Sequence, residues 1–516
     1  MAGLDRRALF GLAAATTAVT TTAQILPAWA DPVFRRDPFG LGVASGDPLP
    51  DGVVLWTRLA PEPLESGHGM PMQRVEVAWE VASDDRFRTI VNSGKDWVRP
   101  ELGHSLHVEV SGLEPGRDYW YRFTVGRERS IAGRSRTAPA PGAAIDRFRL
   151  GVMGCQNYEH GYFTALRHAA AERFDAIFFA GDYIYEGRES GPSSGRPRRH
   201  HGDELYTLTD YRTRYAQYKL DRDLQAAHVS APWICSFDDH EIKNNWSADY
   251  DENGTPPEIF LLRRAAALQA WYENMPVRRA LFPTGGGLTA HRRLAFGSLL
   301  DLHVLDTRQY RSAPPCGPGL KPRCPQASDP AGTILGEAQR RWLFDGLDRS
   351  TARWNAIAQQ VAIGQRDVAP RGPSLYDHDK WDGYIADRVA LLDRIAARGK
   401  GDVVVLSGDL HNTWIGDLKR DFDDPASPVV ASEFVGTSIS SRGDGADRRP
   451  DTPEILAKNP HWTFYSDQRG YLSCTVTPEA WRTDVRVVPF VAKPDAPVST
   501  RASFVVERSK PGVVQV

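Results

Sequence analysis

The sequence predicts a mixed α/β protein: a β-sandwich at the N-terminal end followed by an α/β sandwich. Three observations carry that prediction. From Phe39 to Thr137 strand patterns alternate with turn residues and no helical period intervenes. After Ala138-Pro139-Ala140-Pro141-Gly142, which has the composition of a linker, helix and strand signals alternate. Three short apolar runs, Phe148 to Met153, Ala176 to Ala180 and Val403 to Leu406, read as sheet interior, and each is followed by residues that can bind a metal.

Residues 1–30 stand apart from the fold. Asp5-Arg6-Arg7-Ala8-Leu9-Phe10 reads as a twin-arginine signal, and Ala28-Trp29-Ala30 as a small-x-small cleavage site before Asp31. A chance arginine pair ahead of a buried helix is the plain alternative. Export in the folded state suits a protein whose cofactor is inserted in the cytoplasm. The expected partner is the twin-arginine translocation machinery, and the expected location is secreted, wall-associated or periplasmic. No other segment approaches the ~20 apolar residues of a membrane span.

In the first folded unit, expected over 35–140, the strands are Val53 to Thr57, Val75 to Val81, Leu106 to Val110 and Tyr119 to Thr124. Gly112 to Phe123 resembles the end of an immunoglobulin or fibronectin III-like sandwich, where a turn leads to an inward tyrosine. In the second unit, expected over 146–516, helical periodicity covers Tyr162 to Glu172, Glu258 to Asn274, Glu337 to Leu347 and Asp387 to Ala397. Trp233 to Phe237, Leu299 to Leu305 and Trp354 to Ala362 read as strands, and so do Leu472 to Val476 and Val485 to Val491 in the tail.

The formal charge of -2 provides no general basic field for nucleic acid. Of five cysteines, Cys316 and Cys324 bracket a Gly/Pro-rich loop and are the expected disulfide of an exported protein. Cys235 and Cys474 fall in apolar runs and read as buried thiols. Cys155 ends a strand before Gln156-Asn157 and is placed to act as a ligand thiolate.

Ligand-type residues at the carboxyl ends of neighbouring strands, about 5 Å apart, converge on one spot. Asp182 follows Gly181, whose freedom to turn lets a carboxylate project toward two cations. Tyr185, three residues on, reaches the same centre if the segment turns helically. A phenolate beside a thiolate and a carboxylate favours ferric iron over zinc. Asp238-Asp239-His240-Glu241, then Asn244-Asn245, offer hard oxygen donors suited to calcium. Asp409 and His411 can address two adjacent ions if that segment is extended.

Together Gly154-Cys155-Gln156-Asn157, Gly181 to Glu186, Phe237 to Trp246, Asp306 to Arg311 and Ser407 to Trp414 resemble the PhoD-type alkaline phosphatase and phosphodiesterase family. This is a branch of the calcineurin-like metallophosphoesterases related to purple acid phosphatases, and the resemblance extends over almost the whole mature chain. It implies a calcineurin-like α/β sandwich for the second unit. It implies Fe3+ held by Cys155, Asp182, Tyr185 and His411, with Asp182 bridging to Ca2+ held also by Asp239, Asn245 and Asp409. His240 would take the position of the histidine that stabilises the leaving group, with Asn157, Asp238 and Glu186 as further candidates for the shell.

The expected reaction is hydrolysis of a phosphate ester, with cations lowering the pKa of a water that attacks phosphorus in line. A phosphatase acting on monoesters and a phosphodiesterase of phospholipase D type, acting on phospholipid or cell-wall diesters, both fit. An inert binding or wall-attached protein is the third reading, against which every motif keeps its ligand types. Asp306 suits either a ligand or a buried partner for arginine holding a loop. Trp381 to Tyr384 suits a substrate mouth or an anchored turn. The Arg188 to His201 segment reads as a solvated loop or as an anion-attracting rim, and Asp377, His378 and Asp379 as a solvated loop.

Overall fold

The structure, a computed structural model, describes residues 33–317 and 319–516. The expected signal over 1–30 lies outside the described residues. Two sheets stack face to face with helices on both outer sides. The first has ten strands, in the order Lys510–Gln515, Ser499–Glu507, Ala480–Val488, Arg469–Val476, Phe148–Met153, Ala176–Phe179, Trp233–Cys235, Val43–Leu49, Gly52–Arg58 and Ser105–Val110. The second has seven: Arg292–Phe296, Leu300–Val304, Trp354–Ala358, Val403–Ser407, Val429–Val435, Thr413–Lys419 and Trp462–Ser466.

Strand periodicity assigns each face. In the central strands Leu150, Val152, Ala176 and Phe178 meet Leu302, Ala356, Val404 and Leu406 of the second sheet in the inter-sheet core. The intervening Met153, Ile177 and Phe179 turn outward, under Leu166, Leu224 and Trp271 of the helices Thr164–Ala171, Arg222–His228 and Pro257–Asn274. Val403 and Val405 likewise turn toward Leu343 and Leu391 of Gly336–Arg349 and Ile385–Arg398. Burial on both faces explains why these runs are apolar almost throughout.

The N-terminal sandwich shares a sheet with the rest of the molecule. Val43–Leu49 pairs in parallel with Trp233–Cys235 through Gly46 and Trp233. A separate sheet of Ile90–Val98, Val75–Ala82, Asp118–Val125 and Gly133–Arg136 packs over this extension, burying Val43, Leu55, Val77, Val81, Tyr121 and Phe123. Any Cβ on Gly46 would lie 2.1 Å from the carbonyl oxygen of Pro276, so the junction requires a glycine.

Register places the site. Phe148–Met153, Ala176–Phe179 and Trp233–Cys235 run parallel, with Met153 beside Phe179 and Phe179 beside Cys235, so Cys155, Asp182 and Asp238–Asp239 emerge at one edge. Val403–Ser407 brings Asp409 and His411 from the second sheet to the same edge, where a Cβ on Gly408 would stand 3.2 Å from that of Ala180.

Candidate metal centre

The backbone turns abruptly at five of the ligand-type residues. Cys155, Asp182, Asn245, Asp409 and His411 all have left-handed backbones, with φ between 54° and 64°. That region is costly for residues with a Cβ and persists where surroundings over-determine it, as at functional sites. The extended conformation expected at Asp409 and His411 is therefore replaced by two left-handed turns, which aim both side chains back over the sheet edge. Gly181, at φ 135°, is required by space as well: a Cβ there would lie 2.5 Å from the amide nitrogen of Asp238.

Hydrogen bonds lock these turns together. The buried Glu241 carboxylate accepts the N–H groups of Asp182 (3.0 Å), Tyr183 (2.5 Å) and Asp238 (2.8 Å), joining the ends of two strands. Cys155 N–H donates to the Gly181 carbonyl at 3.0 Å, and Gln156 N–H to that of Asp182 at 3.0 Å. Ser441 Oγ donates to the Cys155 carbonyl at 2.8 Å and reaches the Tyr185 hydroxyl at 2.6 Å.

Three overlapping groups can each hold a metal ion: Cys155, Asp182 and His411; Asp182, Asp239 and His240; and Asp238, Asp239 and Asp409, with ligand atoms in each group within 4.8 Å of one another. Asp182 belongs to two of them. The Tyr185 hydroxyl joins the first, donating to Asp182 Oδ2 at 2.7 Å and lying 3.0 Å from His411 Nε2. It gets there through bends, without the helical turn expected of that segment. Asn245 lines the same cleft; its N–H donates to Asp239 Oδ2 at 2.9 Å and its Nδ2 to Glu252 at 3.1 Å, leaving the amide oxygen for a cation.

These donors fit cations and fit poorly with one another alone. Burial raises the Asp182 pKa to about 7, with Asp239 and Asp409 adding to the rise, and its Oδ1 is buried with no hydrogen-bond partner among the described residues. Burial, reinforced by Asp182, pushes the Cys155 thiol and the Tyr185 phenol well above their ordinary values. The thiolate and phenolate read from the sequence thus need a neighbouring cation. Burial lowers His411 to about 3, leaving a neutral imidazole suited to ligation.

His240 sits at the cleft wall, its ring 4.0 Å from that of Tyr185 and its Nδ1 2.7 Å from Glu186 Oε2. Glu186 also accepts the Asn244 N–H at 2.8 Å, so it orients His240 from behind. Asn157 caps a turn, its Oδ1 accepting the Glu159 N–H at 3.0 Å, and its own N–H donates to Ser441 Oγ at 3.0 Å. Asp306 accepts the N–H groups of Arg308 (3.0 Å) and Gln309 (2.9 Å): it holds the loop through backbone and joins no metal group.

Two cations went unread in the sequence. Arg308, fully buried, binds Asp238 at 2.6 Å and Asp379 at 3.0 Å and approaches Asp239 at 3.5 Å. Lys380 binds Asp409 at 2.6 Å and Asp379 at 3.0 Å. Asp238, Asp239 and Asp379 lie 69 to 71 positions from Arg308, and Asp409 lies 29 from Lys380, so charge pattern along the chain carries no sign of these pairings. Asp379 and His378 are buried, against the expectation of a solvated loop. Arg198 is half-buried, paired with Asp221 at 2.5 Å and stacked on the ring of Tyr158, so it packs its part of the 188–201 segment down, while Arg196 and Arg199 stay exposed.

The metal groups open into a cleft of about 410 Å3. Cys316 and Cys324 form the expected disulfide, and the short strand Leu320–Lys321 inside its loop pairs with Tyr376–Asp377 to build one wall. Cys155, Cys235 and Cys474 are free and buried.

The profile of the PhoD-like phosphatase family matches residues 150–485, and that of the PhoD-like phosphatase N-terminal domain matches residues 25–139. Alkaline phosphatase D of Bacillus subtilis (strain 168) is 48% identical over 489 residues, covering 94% of this chain and 84% of that protein. A solved structure described as "Structure of PhoD" superposes with a TM-score of 0.92 at 48% identity, covering 94% of this chain and 93% of that one. Motifs, architecture and near full-length similarity agree, and the chain belongs to the PhoD-like phosphatase family.

Proposed function

We propose that this protein is a metal-dependent phosphoric ester hydrolase, an alkaline phosphatase of PhoD type. The carrying observation is Asp182, shared between two potential metal groups, with one buried oxygen that has no hydrogen-bond partner among the described residues. Cys155, Asp182, Tyr185 and His411 would hold ferric iron, the harder and more charged ion suited to phenolate and thiolate. Asp182, Asp239, Asn245 and Asp409 would hold calcium through oxygen. When bound, the cations would supply a water of lowered pKa and offset charge on the phosphoryl oxygens.

The protein's own groups do the rest. His240, kept in register by Glu186 Oε2 at its Nδ1, has Nε2 free to give a proton to the departing oxygen. Burial disfavours its charged form, but Glu186, Asp239 and Asp182 outweigh burial and raise its pKa. Arg308 and Lys380 keep Asp238, Asp239 and Asp409 from repelling one another before metal arrives.

Arg6-Arg7 and Ala28-Trp29-Ala30 support export by the twin-arginine route, and the Cys316–Cys324 disulfide suits an oxidising compartment. No helix among the described residues is long and apolar enough to cross a membrane. Rates on a phosphate monoester and on matched diesters, one of them a phospholipid, test the reading with calcium present. Faster monoester hydrolysis supports a phosphatase; diester preference assigns a phosphodiesterase or phospholipase D-type enzyme, and no turnover of either sinks the proposal.

A further inference from the structure

Most cations around the cleft are spoken for. Arg308 and Lys380 are bound by aspartates, and Arg449 and Arg469 by Asp467. Arg366 and Arg442 line the same cleft, yet among the described residues neither guanidinium has a carboxylate or other hydrogen-bond acceptor in reach. Arg366 is half-buried, with its guanidinium 5.6 Å from the ring of Trp414; Asp377, Asp382 and Asp409 act on it only at longer range.

Arg442 is tied at its root to the metal groups. Its N–H donates to His160 Nδ1 at 2.9 Å, and the residue before it, Ser441, bonds both Tyr185 and the Cys155 carbonyl. Its backbone is left-handed, at φ 73°. Trp414, Tyr465 and Ile455 line the cleft beside these arginines. A planar guanidinium fork matches phosphate oxygens, and a charge-assisted bond to them is among the stronger hydrogen bonds.

We propose that Arg366 and Arg442 form an oxyanion subsite that takes phosphate oxygens of the substrate, beside the groups that would hold the metals. The inference rests on the phosphoester reading above and adds a residue pair to it. The oxygens come from one of two sources: the non-bridging oxygens of the phosphoryl group being hydrolysed, or a second phosphate on the same molecule.

The metal-loaded full chain is compared as wild type, Arg366→Met, Arg442→Met and Arg366→Lys. The substrates are an alkyl monophosphate and the terminal bisphosphate of the same alkyl chain, and inorganic phosphate is the competing probe. Each Met variant should raise KM and the phosphate inhibition constant by about fivefold or more at low salt, with a smaller change in kcat and less effect at high salt. Arg366→Lys should recover part of the loss. An equal rise on both substrates assigns the pair to the scissile phosphoryl group; a larger rise on the bisphosphate assigns it to a second phosphate. Unchanged KM and phosphate inhibition in both Met variants overturns the subsite. Arg442 is exposed, so its variant tests the idea even if Arg366→Met fails to fold. A wild type that hydrolyses neither substrate would instead remove the phosphoester reading itself.

Discussion

Asp182 stands where backbone strain, burial and metal geometry coincide. Its φ of 57° is unfavourable for aspartate, its carboxyl is raised to about 7 by burial, and one oxygen has no partner among the described residues. Its neighbours divide the remaining work, which makes single substitutions informative. Asp182→Ala should lose bound metal and turnover together. His240→Ala should retain metal while kcat falls by about 10²–10⁴, the range for loss of a general acid; metal analysis beside steady-state rates checks both, and a rate close to wild type would remove His240 from the reaction. If Tyr185 binds ferric iron, the loaded protein absorbs visible light and Tyr185→Phe loses or shifts that band. A band identical in the variant would exclude the phenolate.

Elements carry a second class of prediction, because they hold charges that serve the fold alone. Lys219, in the helix Leu208–Lys219, is buried against the rings of Trp56 (4.0 Å) and Tyr183 (5.2 Å), and its ammonium has no hydrogen-bond partner among the described residues. Burial lowers its pKa to about 7. Between about pH 7 and 10 the unfolded chain therefore binds a proton that the folded one does not, so stability rises with pH across that window; below pH 7 the full cost applies, on the order of 4 kcal/mol. Lys219→Met should raise Tm near neutral pH and flatten the rise between pH 7 and 10. A lower Tm would show that the contacts with Trp56 and Tyr183 outweigh burial. Removing the Cys316–Cys324 disulfide, which closes a short loop, should cost about 2 kcal/mol in chemical denaturation.

How legible each element was follows from its burial. The strands Phe148–Met153, Ala176–Phe179 and Val403–Ser407 are nearly continuous apolar runs, with Arg149 the one charge among them, and could be read, as could the amphipathic helices Gly336–Arg349 and Ile385–Arg398 to within two residues. Leu208–Lys219 escaped because it buries Arg214, Gln217 and Lys219 among its tyrosines and so shows no apolar stripe. Val43–Leu49 escaped because Gly46, Asp47 and Pro48 read as a turn, although Asp47 is held by Arg292 at 2.8 Å. At the site, strand-end ligand types were visible one motif at a time. Glu241 was visible as a carboxylate, but its bracing of the Asp182 and Tyr183 amides was not, and neither were the roles of Arg308, Lys380 and Ser441, since partners from other segments fix them.

The whole molecule is continuous where the sequence suggests a linker. Val43–Leu49 completes the large sheet at Trp233–Cys235, Trp56 Nε1 donates to the Glu273 carbonyl at 2.9 Å, and His107 Nε2 lies 2.9 Å from that of Met275. Removing residues 33–139 would bare an apolar strand edge one strand away from the one that presents Asp182. A variant without them should aggregate or lose metal; a soluble, metal-binding, active remainder would show that the two parts are independent. The central claim, that cations shared through Asp182 drive phosphate ester hydrolysis, is tested most directly by measuring bound iron, bound calcium and hydrolysis on the same preparations of wild type and Asp182→Ala. Wild type should hold both metals and turn over ester while the variant does neither, and a fully active Asp182→Ala protein would contradict the account.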